Sequence, residues 1–408
     1  MTSEMRMSDA IATALSSYVE HGEFAGAASL VWREGQLRHF GSVGWRNKQA
    51  KQPLQRDSLF RIASISKPIT SLAAMVMQEE GRFSLTDPVS NWAPEFAKMQ
   101  VLRSPTSAMD DTVAAERQIT FEDLLTHRAG FNYGETFSGA TREAYEKALG
   151  GHIDSPVSPD DWIAGLARLP LVAQPGTGFT YGHATDLLGL LIARIEGTSL
   201  GDLLQRRIFG PLGMTDTGFG VPADKHHRRA AMYGFDDQGA LLEKPSMPGA
   251  FLDERPEGMT FESGGQGLWS TIDDVLAFGR VFVSGGMVDG VRIISEDTLT
   301  LMTTNRLTPS QRMEARLLGM PVFEAHGFGL GLAVVMDPDK ASVLRCKGGV
   351  GTVGWPGAYG GWWQADPTDG SVMVFLAHNS FELEQLAMGV GLGVYAAITD
   401  FHALAAKS

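Results

Sequence analysis

The segment Ser64-Ile65-Ser66-Lys67-Pro68 holds two residue types at a spacing that does chemistry. Ser64 and Lys67 are three apart, so on a helix they share one face and the amine can approach the hydroxyl. A serine is a poor nucleophile until a neighbouring base takes its proton. A lysine in a first helical turn breaks a local rule. The helix N-terminus disfavours a cation by ~0.3–1 kcal/mol when exposed, and burial disfavours the charged form further. Both effects favour the neutral amine that a general base must be, and rule-breaking without local compensation marks functional sites. The pattern alone is weak: S-x-x-K arises roughly once or twice by chance in such a length, and Ser64 or Ser66 could simply cap the helix. It occurs once here, and it opens an apolar run of Ile69, Leu72, Ala73, Val76 and Met77.

Those residues need elements to hold them. Ile11, Leu15 and Tyr18 predict a helix over 8–20, with Ser8 as a possible N-cap. Ala27 to Trp32, the turn Glu34-Gly35 and Leu37 to Gly44 read as a hairpin. Residues 57–63 lead into a helix of about 65–80 ended by Gly81. Residues 101–118 read as a polar surface insertion, Thr120 as the cap of a helix through Leu125, and Asp186 to Glu196 as an apolar helix stopped by Gly197. Residues 221–262 read as loops. Helices over 273–283 and 295–303 then alternate with strands over 327–336, 343–354, 360–366 and 371–377, before a C-terminal helix over 381–405. Strands flank a helical middle. The expectation is one α/β domain from residues 1–86 and 235–408, with a mainly helical domain over 87–234.

Composition bounds the function. The 408 residues suggest two or three folding units. A hydrophobic fraction of 43% excludes wholesale disorder, and 48 glycines with 19 prolines imply many turns. The net charge of −13 argues against a nucleic-acid partner or an anionic membrane surface. A single cysteine, Cys346, rules out an internal disulfide framework. No run of 18 apolar residues occurs and no secretory signal is read at the N-terminus, so a cytoplasmic protein is expected.

Ser64-Ile65-Ser66-Lys67-Pro68, with Leu85-Thr86-Asp87-Pro88-Val89 after it, resembles the serine β-lactamase/penicillin-binding-protein superfamily, and within it the family VIII carboxylesterases. Further matches are Leu124-Leu125-Thr126-His127, Pro175-Gly176, Pro211-Leu212-Gly213-Met214, Gly264-Gly265-Gln266-Gly267-Leu268 and Gly327-Phe328-Gly329-Leu330-Gly331. None is specific alone; their order and spacing are. The resemblance implies a β-lactamase-like two-domain fold, an antiparallel sheet flanked by helices plus an all-α domain. It implies catalytic Ser64, Lys67 and Tyr181. The family's Tyr-x-Asn is here Tyr181-Gly182-His183, so the tyrosine is retained and the amide is not. His183 then becomes a residue that could contact substrate or orient Lys67. The family's Lys-Thr-Gly matches Trp355-Pro356-Gly357-Ala358, akin to the Trp-Gly-Gly of the esterase branch. Losing that lysine removes a cation that would greet a substrate carboxylate, which favours neutral esters over penicillins. By resemblance the N–H groups of Ser64 and Ala358 form the oxyanion hole, and Trp355, Gly357 and Tyr359 join His183 as substrate-binding candidates. Trp362 and Trp363 could line the cleft or pack the core. Lys347-Gly348-Gly349 is a rival match for the third motif.

Other patterns fail on context. Gly197-Thr198-Ser199-Leu200-Gly201 fits the nucleophile-elbow pattern, but a helix precedes it where a strand is required, so Thr198 or Ser199 reads as a cap. Gly349-Val350-Gly351-Thr352-Val353-Gly354 fits a dinucleotide fingerprint, but Trp355-Pro356-Gly357 follows instead of a helix. The ten histidines form no ligand spacing, so no metal or cofactor is expected. His127 reads as a structural turn residue. The expected function is hydrolysis of short-chain acyl esters through an acyl-enzyme on Ser64, with a small-molecule ester as partner and a homo-oligomer as an open possibility. Rivals with the same machinery are an acyltransferase and a β-lactamase or D-peptidase. A rival of another class is a non-catalytic binding protein on the same fold.

Overall fold

The computed structural model describes residues 3–133, 140–151, 153–244, 255, 258–317, 319–381, 385–386 and 388–406. Its sheet grows from a tight hairpin. Glu34 and Gly35 take φ of 51° and 78°, the positive pair that a two-residue turn demands, and join β1 (Gly26–Arg33) to β2 (Gln36–Asn47). β3 (Gln52–Pro53), β4 (His326–Phe328), β5 (Ala333–Val335), β6 (Val353–Gly354), β7 (Trp362–Asp366) and β8 (Ser371–Ala377) complete the sheet. The eight strands run in the order β4-β5-β6-β7-β8-β1-β2-β3, every pair antiparallel. The first and last strands in sequence therefore meet mid-sheet, where Ala27 faces Ala377 and Arg33 faces Ser371.

The central strands are buried on both faces, and period-two alternation divides their side chains between two cores. Ala27, Val31, Met373 and Phe375 point to one face, where they meet α1 (Ser3–Glu20) and a C-terminal helix, Gly393–Ala405. Ala28, Leu30, Val372 and Val374 point to the other. There they join the core that holds α2 (Ser66–Glu79), α3 (Ala184–Glu196) and α4 (Ile272–Val283). The apolar stripe of α2 lies between sheet and helices, with Ile69, Leu72 and Ala73 wholly buried. Thr120 closes a capping box with Asp123 over helix Phe121–Leu125.

Several expected elements differ. The single strand over 327–336 is the hairpin of β4 and β5, with Gly331 at φ 96° in the turn between them. Most of 343–354 is loop, because Lys347 and Gly349 bond the side chains of Gln364 and Asp366 instead of a ladder. Residues 101–118 contain a small hairpin, Gln100–Leu102 with Thr112–Ala114. Tyr233–Phe235 pairs with Leu241–Glu243 inside the stretch read as loops. Much of the rest of that stretch, and parts of the segment beginning at 381, lie outside the described residues. Ser8 caps nothing: α1 is already under way at Ser3, and the Ser8 hydroxyl meets His39 Nδ1 at 3.0 Å. Among the described residues no helix is long and apolar enough to cross a membrane.

Candidate active site

Ser64 is set in place by a strained turn. Phe60–Arg61, paired with Trp269–Ser270, runs into one 3-10 turn, Ala63–Ile65, and then into α2. Ala63 takes φ 45°, a left-handed conformation that costs a non-glycine residue of order 1–3 kcal/mol. Lys67, one turn on, is 1% exposed and Ser64 only 6%. Lys67 Nζ stands 3.1 Å from Ser64 Oγ and donates to the Gly265 carbonyl at 2.8 Å. Neither partner is a carboxylate.

The acid that does reach Lys67 acts through a peptide. Asp186, fully buried in the first turn of α3, accepts from the Gly265 N–H at 2.9 Å and from the Ser263 hydroxyl at 2.5 Å. Its other oxygen lies 2.9 Å from His183 Nδ1. Burial alone would raise this carboxyl. The His183 hydrogen bond and charge, the Lys67 charge and the Ser263 hydroxyl outweigh it and hold Asp186 below its ordinary range. Gly265 allows the approach: a Cβ there would stand 2.9 Å from an Asp186 oxygen. His183 is therefore sunk beneath the site, 1% exposed, among the rings of Tyr133, Trp162 and Tyr145. Its path to Lys67 runs through Asp186 and the Gly265 peptide.

Tyr181 enters from the loop before α3. Its ring face, centred 4.7 Å from Lys67 Nζ, meets the amine, and Tyr133 offers a second face at 5.4 Å. The Tyr181 hydroxyl accepts from Trp355 Nε1 at 2.9 Å. His127 packs on the Tyr181 ring at 4.8 Å, and its buried Nδ1 has no hydrogen bond. Burial first, then the Lys67 charge, hold its imidazole well below the usual range, so it is neutral. It does occupy a turn, at φ 53°, and it also forms one wall of the tyrosine's seat. Nothing in the local sequence distinguished Tyr133 or Asp186; an acid in a first helical turn reads as an ordinary helix start.

The Trp355–Ala358 segment closes the other side. A Cβ on Gly357 would stand 2.5 Å from the Ile62 carbonyl, so this loop lies directly against the Ser64 turn. Gly357 N–H donates to Gly361 and the Gly360 N–H to Gly357, which folds Ala358 outward into solvent. Neither the Ala358 N–H nor the Ser64 N–H donates to another backbone carbonyl of the described residues. Tyr359 is 4% exposed and packs with Ala63, Ile153 and Met232, beneath the Ser64 turn. Trp362 and Trp363 belong to the two cores on opposite faces of the sheet. Lys347-Gly348-Gly349 sits at the Asp366 end of β7, the end opposite Trp355. A separate hollow of about 310 Å³, lined by Ile163, Leu190, Arg194, Ser199 and Glu262, lies on the helical side. Ser199 Oγ there accepts from Asp202 N–H as the cap of helix Leu200–Leu204.

The sequence and the fold both have known relatives. The Beta-lactamase family profile matches residues 11–388. The chain belongs to the beta-lactamase family. Protein Rv1367c of Mycobacterium tuberculosis is 44% identical over 362 residues, which cover 89% of this chain and 88% of that protein. Esterase EstB of Burkholderia gladioli is 29% identical over 371 residues, 88% of this chain and 86% of its own. The solved structure of EstCE1, described as a hydrolase with promiscuous acyltransferase activity, superposes with a TM-score of 0.76 at 26% identity and covers 96% of this chain and 99% of that one. The fold is thus β-lactamase-like, and the chain is an enzyme of the serine hydrolase and acyltransferase kind.

Proposed function

We propose that the chain is a carboxylesterase that cleaves short-chain acyl esters through an acyl-enzyme on Ser64. The observation that carries this is the buried Lys67 amine 3.1 Å from Ser64 Oγ, fixed by a carbonyl instead of a counter-ion. Ser64 Oγ attacks the ester carbonyl while Lys67 takes its proton. The N–H groups of Ser64 and Ala358 receive the oxyanion, where such a donor contributes ~2.7–4 kcal/mol at the transition state. Tyr181 passes a proton to the departing alkoxide, the C–O bond breaks and the alcohol leaves. Water, deprotonated by the same pair, then attacks the acyl-serine, releases the acid and restores the Ser64 hydroxyl. Trp355 and Gly357 border the reacting atoms. His183 and Tyr359 act from below, through Asp186 and the Ala63 turn. The kinship to EstB supports hydrolysis; the printed description of EstCE1 supports acyl transfer to an alcohol as a second outcome of the same acyl-enzyme.

Intact-mass analysis after incubation with a p-nitrophenyl phosphonate ester tests this directly. One adduct mapping to the Ser64 peptide is expected, together with a p-nitrophenol burst that Ser64→Ala abolishes. An adduct on Ser199, or full turnover by Ser64→Ala, rejects the assignment. Added acceptor alcohol separates the two outcomes by the ratio of new ester to free acid.

A further inference from the structure

The hollow on the helical side holds a charge that the proposed reaction does not use. Its buried walls are Ile163, Leu190, Ala193 and Leu200, and it opens to solvent past Asp160, Gly197 and Thr260. At about 310 Å³ it has the volume of roughly ten liquid waters. Three of its lining residues are charged. Arg194 commits its guanidinium to the Trp92 carbonyl at 2.9 Å and to Asp160 at 2.6 Å. Glu262 accepts the Gly201 N–H at 2.7 Å, and among the described residues no basic side chain comes within ion-pair distance of it. Its carboxyl is raised above the ordinary range. Burial is the main cause and Asp202 adds to it, against the Gly201 N–H, the more distant Arg255 charge and the Leu200 N–H. The hollow thus combines apolar walls with one partly buried carboxylate whose charge is unmatched, and such a charge is costly until a cation meets it.

Glu262 also begins a short segment that ends on Lys67. Ser263 donates its hydroxyl to Asp186, the Gly264 carbonyl accepts from Thr70 at 2.8 Å, and the Gly265 carbonyl holds the Lys67 amine at 2.8 Å. Leu190, Ala193 and Arg194 stand on α3, whose first turn carries Asp186. We propose that the hollow is a binding site for a small primary ammonium ion with a short alkyl chain, its cation on Glu262 and its chain on Ile163, Leu190 and Leu200, and that its occupancy is felt at Lys67. An ammonium brings three donors and the one charge that the carboxylate lacks, while the chain leaves water for apolar walls. An anion would face Glu262 and Asp160 with only a guanidinium that is already engaged. A ligand that draws the Glu262 carboxylate toward itself moves the segment whose third residue on anchors the amine, and binding at one place then changes the energetics at the other. The site stands apart from the esterase reading; the link to Lys67 rests on it.

Calorimetric titration with hexylammonium, hexan-1-ol and hexanoate tests the site in wild type, Glu262→Gln and Ala193→Leu. Hexylammonium should bind wild type one to one, at least tenfold tighter than the alcohol or the acid. Glu262→Gln keeps an acceptor for the Gly201 N–H; it should weaken hexylammonium tenfold or more and leave hexan-1-ol within threefold. Ala193→Leu, which fills the hollow, should weaken both. Equal affinities for the three probes, or an ammonium affinity unchanged in Glu262→Gln, overturn the site. Should Glu262→Gln fail to fold, Ala193→Leu decides, and full hexylammonium binding there overturns it. Titration repeated on protein labelled at Ser64 with the phosphonate should give the same affinity; binding lost on labelling means that the amine sat in the cleft, and the site is overturned. The link is read from the rate of Ser64 phosphonylation, a single event with no acyl group for the amine to accept. Saturating hexylammonium should change that rate at least twofold in wild type and leave Glu262→Gln unmoved. An unchanged wild-type rate overturns the link. No label and no ester turnover sink the esterase reading and the link together, whereas calorimetry on the unlabelled protein still decides the site.

Discussion

Lys67 holds its amine between the Ser64 hydroxyl and a carbonyl that fixes its position, and Asp186 fixes that carbonyl from the other side of the same peptide. Asp186 thus acts as a positioning residue. In Asp186→Asn the amide must turn a donor toward either the Gly265 N–H or His183 Nδ1, so one of the two bonds becomes donor against donor. Steady-state kinetics of this variant should show kcat lowered about tenfold or more with KM changed less than about twofold, because the loss falls on the proton transfer and not on substrate contacts. An unchanged kcat, or a loss confined to KM, argues against the positioning role. At this scale the sequence was partly legible. The Ser64–Lys67 spacing is a local fact of helix geometry, whereas the link from His183 to Lys67 passes through Gly265, 82 and 198 positions away in sequence from those two, and no local pattern encodes it.

At the scale of elements, the site depends on two backbones in van der Waals contact. The Ser64 turn and the Trp355–Gly361 loop can touch only because Gly357 lacks a Cβ, which would otherwise stand 2.5 Å from the Ile62 carbonyl. Gly357→Ala forces that loop away and carries the Ala358 N–H with it. The expected result is ester turnover reduced at least tenfold in a protein that still gives a native circular-dichroism spectrum. Activity within twofold of wild type would remove Ala358 from the oxyanion hole. The helices were legible because their apolar period and caps are local, as with Thr120 and the Gly197 stop. The strands over 360–366 and 371–377 lie where the sequence placed them, but the short strands between 326 and 354 were not legible. β6 is two residues long, and its neighbours are set by side-chain bonds from Gln364 and Asp366 that lie elsewhere in the chain.

For the molecule as a whole, buried neutral histidines set the response to acid. Burial pushes His39 down to about 4, between the hydroxyls of Ser29 and Ser8. Burial, with the Arg61 charge as a smaller cause, pushes His378 down to about 4 as well, although its bond to the Ala230 carbonyl opposes this. His378 Nε2 accepts from the Arg61 N–H, a bond that protonation destroys. Both groups titrate lower in the folded chain than the ordinary value near 6.5, so the unfolded chain takes up protons first. Their stability is fully present above pH ~6.5 and is lost as pH falls toward 4, at ~1.4 kcal/mol per pKa unit and so about 3 kcal/mol per group at the limit. Urea unfolding followed from pH 7 to pH 4 should show this decline, and His39→Gln should flatten it. An equally steep decline in that variant would place the acid sensitivity elsewhere.

The residues by themselves determined the Ser64–Lys67 spacing, the helices that carry it and the kinship that the ordered motifs display, because each of these is written in short-range pattern. Only the tertiary structure decided which polar groups became one network. It seated Asp186 behind Lys67, turned the face of Tyr181 toward the amine and its oxygen toward Trp355, and buried His183. These placements follow from the closure of a sheet by strands from opposite ends of the chain, and the packing forces that close it act between residues that sequence distance keeps apart.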